Sequence, residues 1–468
     1  MLTLMVTTLG LAHAQGLPSC FATGTEPAAD GEADAPTSLD DTTLQAAAAK
    51  VLPLVEKHAG RVFTTPPKVT LAEGQAFRDV VAEENRLIYD RIFAASPEEV
   101  RHRLAEETAW GAERGVLGKY GVFTDTLYMS EGPLRMAAST LPGDRMDDVL
   151  LVILAHELTH ALQDQHIPMD ALLDDVDDQD ALWAASGSWE GFATWVEQQV
   201  AHELGLDDVF WGMTKLQGWG EEGLQEPMAF QTWAVYGQGR AFVEHHQAKG
   251  TEHLWTVLAH PPHRTWMLFE PERYTADPPP FPVDFTPALT GSEHKLTSKK
   301  PWASLITTVG DVELRGEAIL GHTEDELDEV MAHLVHAQKL ESVLPDRSVE
   351  ARVMLFDDTT WPRRYLDLLR AQAKAEADRK GDAYDVPIEL SYVDFPLENI
   401  TVDDSTLRTT RIPIGGGRHL EARAAWVVQG RMVLVVRAER FRPGLRLGWA
   451  IEHLLTGLEG IELPAAVP

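Results

Sequence analysis

The chain has 468 residues, 44% of them hydrophobic and 13 of them tryptophan, enough to bury two or three domain cores and to exclude global disorder. Its formal charge of -33 repels phosphate backbones, which argues against nucleic acid as a partner, and keeps the chain off anionic membrane surfaces unless it is tethered. The single cysteine, Cys20, rules out an intramolecular disulfide and a cysteine-based metal site.

Residues 1–20 read as a signal or targeting segment. An apolar stretch ends in Leu11-Ala12-His13-Ala14, a small-residue cleavage site before Gln15, although no Lys or Arg precedes Lys50. The alternative is a lipid anchor at Cys20; Pro18 and the polar Gln15-Gly16 make Leu17-Pro18-Ser19-Cys20 a poor lipobox. Both readings export the protein, whether periplasmic, secreted or lipid-anchored at the cell envelope. No later stretch is long and apolar enough for a transmembrane helix. Residues 21–40, rich in Ala, Asp, Glu, Thr and Pro, read as a flexible acidic spacer.

A first helix is expected from 41 to about 58, and Val69-Thr70-Leu71 as a short strand after the break at Pro66-Pro67. Helical spacing covers 75–115, interrupted at Ser96-Pro97. Residues 120–129 set two β-prone pieces around Thr124-Asp125 and predict a hairpin. An edge strand at that place can hold an extended peptide by main-chain hydrogen bonds.

The next helix, roughly 146–165, carries His156-Glu157-Leu158-Thr159-His160 after an apolar run over 149–155. Residues four apart share a helix face, so His156 and His160 present two imidazoles to one ion. Glu190 lies on a following helix, about 180–204, in Trp189-Glu190-Gly191-Phe192-Ala193-Thr194. Two histidines and a carboxylate suit Zn2+ and leave a fourth position for water, with Glu157 as the carboxylate that takes its proton. The run before the motif is apolar nearly all round, so the helix is buried, and buried polar groups need partners or a metal. Asp164 is placed to orient a ligand or a neighbour, or to stand exposed at the helix end; Thr194 is placed to brace Glu190. His166 lies off the 156–160 stripe and is not counted as a ligand. The acidic loop 173–180, with Asp174, Asp175, Asp177, Asp178 and Asp180, lacks EF-hand spacing and reads as solvated rather than as a calcium site.

Helices are expected over 226–249 and 251–259, then Pro-rich irregular chain over 260–290. From about 301 the texture changes. Residues 302–343 read as helical, 353–356 as a strand and 361–379 as a helix. Strands follow near 388–392, 409–414, 422–428 and 432–437, with a turn at Gln429-Gly430, and an amphipathic helix closes the chain at 446–458. This second region, 301–468, reads as a small α+β domain of unknown role, without a catalytic constellation.

The string Val152-Ile153-Leu154-Ala155-His156-Glu157-Leu158-Thr159-His160-Ala161-Leu162-Gln163-Asp164-Gln165-His166 resembles a large set of bacterial zinc metallopeptidases related to the thermolysin-like gluzincins. The resemblance extends to Glu190-Gly191-Phe192-Ala193-Thr194, to Tyr236-Gly237-Gln238-Gly239-Arg240-Ala241-Phe242-Val243 and to Pro261-Pro262-His263-Arg264-Thr265, roughly 45–320 in all. It implies an α+β chain: a mostly helical gluzincin-like zinc peptidase domain with a small sheet or hairpin, assigned to 41–300, followed by the smaller α+β region. It also implies zinc on His156, His160 and Glu190, Glu157 as general base, and an oxyanion donor downstream of the third ligand. Tyr236 is the first choice for that donor, ahead of His245, His246, His260 and His263. The chain departs from the pattern at Arg264-Thr265-Trp266-Met267 and Glu270-Pro271-Glu272-Arg273-Tyr274, where relatives carry Ser-Thr-Glu-Gln and His-Pro-Glu-Lys-Tyr. Those missing residues either complete a site or brace a fold. The expected function is an exported zinc-dependent metallopeptidase acting on a peptide or protein. The alternative is a non-catalytic zinc-binding surface or periplasmic protein, a degenerate peptidase kept as a binding module.

Overall fold

The structure is a computed structural model describing residues 39–92, 98–173, 176, 178–216, 227–297, 301, 303–320, 322–344, 347–384, 387–413, 419–439 and 447–465. The expected targeting segment, Cys20 and nearly all of the acidic spacer lie outside these residues, as do Asp174, Asp175 and Asp177 of the acidic loop.

Asp40 starts α1 (Asp41–Ala59) by accepting the Thr43 N–H, and Gly60, at φ 68, ends it in the left-handed conformation. A short strand, β1 (Lys68–Leu71), leads into the helical pair α2 (Gly74–Ile92) and α3 (Glu98–Gly115). The expected hairpin follows as β2 (Gly118–Gly121) and β3 (Thr126–Met129), with Asp125 at φ 48 in its turn. The three strands form a small sheet in the order β1-β3-β2, so β2 is an edge strand, yet its residues are all buried. Helices α4 (Glu131–Ser139), α5 (Met146–His166), α6 (Met169–Leu172) and α7 (Gln179–Leu204) come next. Every residue of α5 from 149 to 163 is buried, as its all-round apolar pattern predicts.

Beyond α8 (Asp207–Leu216) and α9 (Pro227–Trp233), a π-helical turn (Ala234–Gln238) leads into α10 (Gly239–Gln247), then α11 (Thr251–Ala259) and α12 (Trp266–Phe269). The helix expected over 226–249 is therefore interrupted by a wider turn. Helices α7 and α10 cross backbone to backbone: a Cβ on Gly239 would lie 2.1 Å from the Gly187 carbonyl oxygen, and one on Gly191 2.1 Å from the Gly239 carbonyl carbon. Only glycine permits that approach.

The C-terminal region is built on one antiparallel sheet in the order β4-β5-β6-β10-β9-β8-β7. Its strands are β4 (Ala303–Thr308), β5 (Leu334–Leu344), β6 (Arg347–Phe356), β7 (Glu389–Asp394), β8 (Asp404–Pro413), β9 (His419–Gln429) and β10 (Met432–Glu439). Gly430, at φ 57, turns β9 into β10 where the sequence predicts it. The sheet's helices are α13 (Thr286–Thr297), α14 (Asp311–Ala318), α15 (Glu324–Met331), α16 (Trp361–Tyr384) and α17 (Leu447–Glu459). One sheet face shares a core with the N-terminal helices, and α13 and α17 cover the other. Ala288, Leu289 and Leu296 of α13 belong to that second core, so the packing of the C-terminal sheet reaches upstream of 301.

The helical reading of 302–343 needs correction: β4 and β5 occupy its two ends. Charged side chains of this sheet pair in the interior with the helix Asp311–Ala318. Lys339 of β5 meets Glu313 of α14 at 2.8 Å, and Arg352 of β6 meets Glu313 at 2.9 Å and Glu317 at 2.6 Å. No described helix is long and apolar enough to cross a membrane.

Candidate metal centre

Three donor atoms converge between α5 and α7. His156 Nε2 lies 3.0 Å and His160 Nε2 3.2 Å from Glu190 Oε2, and the two nitrogens are 3.1 Å apart. All three residues are buried. The protons on the far side of each ring are accounted for. Gln163 Nε2 donates to the Trp189 carbonyl at 3.1 Å, which turns its Oε1 toward His160 Nδ1 at 2.8 Å, so that ring nitrogen donates. His156 Nδ1 faces the Glu197 carboxylate at 3.0 Å and donates as well. With both rings neutral, the two Nε2 atoms would aim lone pairs at each other and at a carboxylate, so the cluster calls for positive charge, either a bound metal ion or a ring proton. Tetrahedral zinc with bonds of about 2.0–2.1 Å would set its ligands roughly 3.3 Å apart, close to the spacings found. Fixing the Nδ1 protons on acceptors is how a protein holds metal-ligating imidazoles in the right tautomer.

The electrostatics make the same demand. Burial opposes charge on His156, but hydrogen bonds to Glu190 and Glu197 and their two charges reverse the balance, so a metal-free imidazole is pushed up to about 10 and becomes a cation itself. Burial also opposes ionisation of Glu190, yet the His160 charge and the hydrogen bonds from both rings hold it well below the usual carboxylate range.

Glu157, on the turn between the two histidines, accepts the Tyr120 N–H of β2 on its Oε2 at 2.7 Å. The strand lies directly over the side chain: a Cβ on Gly118 would sit 3.1 Å from Glu157 Cγ and 2.9 Å from the Met129 sulfur. The Tyr120 N–H is thus spent on Glu157 and is not open to a peptide laid along β2. Asp164 is not a free helix-end acid: it accepts the Tyr120 hydroxyl on Oδ2 at 2.9 Å and so orients a neighbour.

Tyr236 arrives from the π-helical turn, its ring 6.0 Å from the His156 ring, centre to centre. A π turn inserts a residue into the helix and re-aims its side chains, and such turns are frequent at functional sites. Two of the other downstream candidates engage elsewhere. His246 pairs with His253 at 3.1 Å, and His260 Nδ1 donates to the Thr256 carbonyl at 3.0 Å.

Thr194 does not brace Glu190: its buried hydroxyl makes no hydrogen bond among the described residues. The acid that matters on α7 is Glu197, two turns beyond Glu190 on the same helix face. Sequence reasoning missed it, although its i+7 spacing is legible. The solvated-loop reading fails at Asp180, which is buried and accepts from Thr265 through its hydroxyl at 2.5 Å and its N–H at 3.1 Å. Thr265 also accepts the Val312 N–H at 3.3 Å, and the Leu268 carbonyl accepts from Gln238 of the π turn at 3.0 Å. Asp180 precedes Glu190 by almost three turns, roughly 15 Å along α7. Thr265 and Leu268 therefore brace α7, the π turn and α14 against one another.

No family model matches the chain, and no curated protein matches it. Among solved structures, the chain is similar to one from Chloroflexus aurantiacus described as "a putative hydrolase with a novel fold". The TM-score is 0.36 and the identity 16%, over 51% of this chain and 91% of that one.

Proposed function

We infer that this protein is a zinc-dependent peptidase of gluzincin type, with zinc on His156, His160 and Glu190. Two imidazole nitrogens and one carboxylate oxygen are a donor set that suits zinc and leaves a coordination position open. When bound, the ion lowers the pKa of a coordinated water to about 7 and polarises the carbonyl under attack. Glu157 accepts a proton from the attacking water and delivers it to the leaving amine nitrogen. Tyr236 donates to the developing oxyanion beside His156.

One observation carries this reading. A carboxylate, Glu157, is fixed by a backbone N–H on the turn between the two histidines. A purely structural ion site needs no such group. Export remains part of the proposal and rests on the apolar segment before Gln15.

The test is hydrolysis of a mixed quenched-peptide pool by the zinc-loaded protein beside its Glu157→Gln variant. Cleavage by the wild type, with zinc retained but cleavage lost in the variant, is the expected result. A variant as active as the wild type refutes the base assignment. Zinc binding without cleavage by either would turn the reading to a zinc-binding module.

A further inference from the structure

We propose that Tyr120 and Asp164 are positioning residues that set the orientation of Glu157 by clamping strand β2 onto two turns of α5. The inference rests on the peptidase reading above and deepens it.

Tyr120 touches α5 twice. Its backbone N–H donates to Glu157 at 2.7 Å and its hydroxyl to Asp164 at 2.9 Å. The two carboxylates are seven residues apart, about 10 Å along the helix, so one tyrosine spans two turns and fixes both the height and the tilt of the strand. Asp125, at φ 48 in the hairpin turn, offers the hydroxyl a weaker second acceptor at 3.4 Å. Burial, and then the charge of Asp164, push the hydroxyl well above its ordinary range, so it stays a donor. From the other side of the strand, Lys119 is held to Glu84 of α2 at 2.8 Å, both fully buried. Gly118 lets the backbone rest on Glu157.

The consequence is geometric. With Oε2 bound to a fixed N–H, Glu157 presents Oε1 to the water it deprotonates. A general base must hold its place within about 0.5 Å, and a glutamate alone has three free torsions. The strand supplies the fixed point, and the Tyr120–Asp164 bond supplies the strand's register on α5. Neither residue needs to touch substrate or ion.

The experiment compares kcat, KM and zinc content for wild type, Tyr120→Phe, Asp164→Ala, the double variant and Asp164→Asn, each first shown to be folded by its melting transition. Tyr120→Phe and Asp164→Ala are expected to lower kcat by about 10- to 100-fold, the cost of a displacement on the scale of 1 Å. KM and zinc content should hold. The double variant should be no slower than the worse single, because both remove one bond. Asp164→Asn keeps an acceptor oxygen and should restore most of kcat. Unchanged kcat in folded Tyr120→Phe, or additive losses in the double variant, would overturn the clamp. If the wild type shows no zinc-dependent hydrolysis, the peptidase reading fails first. Amide exchange at Tyr120 then decides the clamp by itself: faster exchange in Asp164→Ala than in wild type upholds it, and equal exchange overturns it.

Discussion

Gly191 follows Glu190 directly and sits where α7 meets α10. An added Cβ would lie 2.1 Å from the Gly239 carbonyl carbon, 2.3 Å from its oxygen and 2.6 Å from the Arg240 nitrogen. All three are backbone atoms, so no side chain can rotate away. Ordinary contact begins near 3.4 Å, which asks α10 to retreat by about 1.3 Å. Overpacking of this kind costs about 1–3 kcal/mol, and a backbone obstacle points to the upper end. If the region around the metal centre unfolds as a unit of about 250 residues, Gly191→Ala should lower Tm by roughly 3–6 °C. The retreat also carries the π turn and Tyr236 away from His156, so kcat should fall beyond what the loss of folded protein explains. The control is Gly111→Ala in α3, where an added Cβ meets nothing within 4 Å. That variant should melt at or slightly above the wild type, since alanine outranks glycine in a helix by about 1 kcal/mol. Scanning calorimetry with and without added zinc reads both. A Gly191→Ala protein as stable as the wild type would refute the close crossing and with it the account of how Tyr236 is delivered.

Glu197→Gln removes the charge that accepts the His156 Nδ1 proton. Zinc affinity should drop about 10- to 100-fold with the fold intact, measured by competition with a chromogenic chelator; unchanged affinity would count against that assignment. Asp180 gives the pH prediction. Burial, and then the neighbouring Asp178, push its carboxyl up to about 7 in the folded protein, above the ordinary range near 4. A raised folded value means its contribution is fully present below about pH 4 and is lost as pH rises through about 7. Asp180→Asn keeps an oxygen for Thr265 and removes that loss, so its Tm relative to wild type should climb between pH 4 and pH 8. A difference that stays flat across this window contradicts the assignment.

The convergence of His156, His160 and Glu190 was legible because a helix converts an i, i+4 spacing into a shared face, and because α7 follows α5 closely enough to bring Glu190 across. The hairpin at Thr124-Asp125, the turn at Gln429-Gly430 and most helix limits were legible for similar local reasons. Contacts made by tertiary packing were not. Tyr120 meets Glu157 across 37 residues of sequence, and nothing local announces it. Glu197 looks like any other acid on α7 until His156 is seen against it. The π turn at Ala234–Gln238 follows from neither propensity nor period. Strands β4 and β5 were hidden for the same reason: Lys339 of β5 is buried against Glu313 of α14, a pairing made by tertiary packing that no local pattern announces.

The most direct measurement is the zinc content of the purified protein after dialysis, beside Glu190→Ala and Glu157→Gln. The account predicts one zinc per chain in the wild type and in Glu157→Gln, and a clear loss in Glu190→Ala. Full zinc in Glu190→Ala, or none in the wild type after loading, would contradict it.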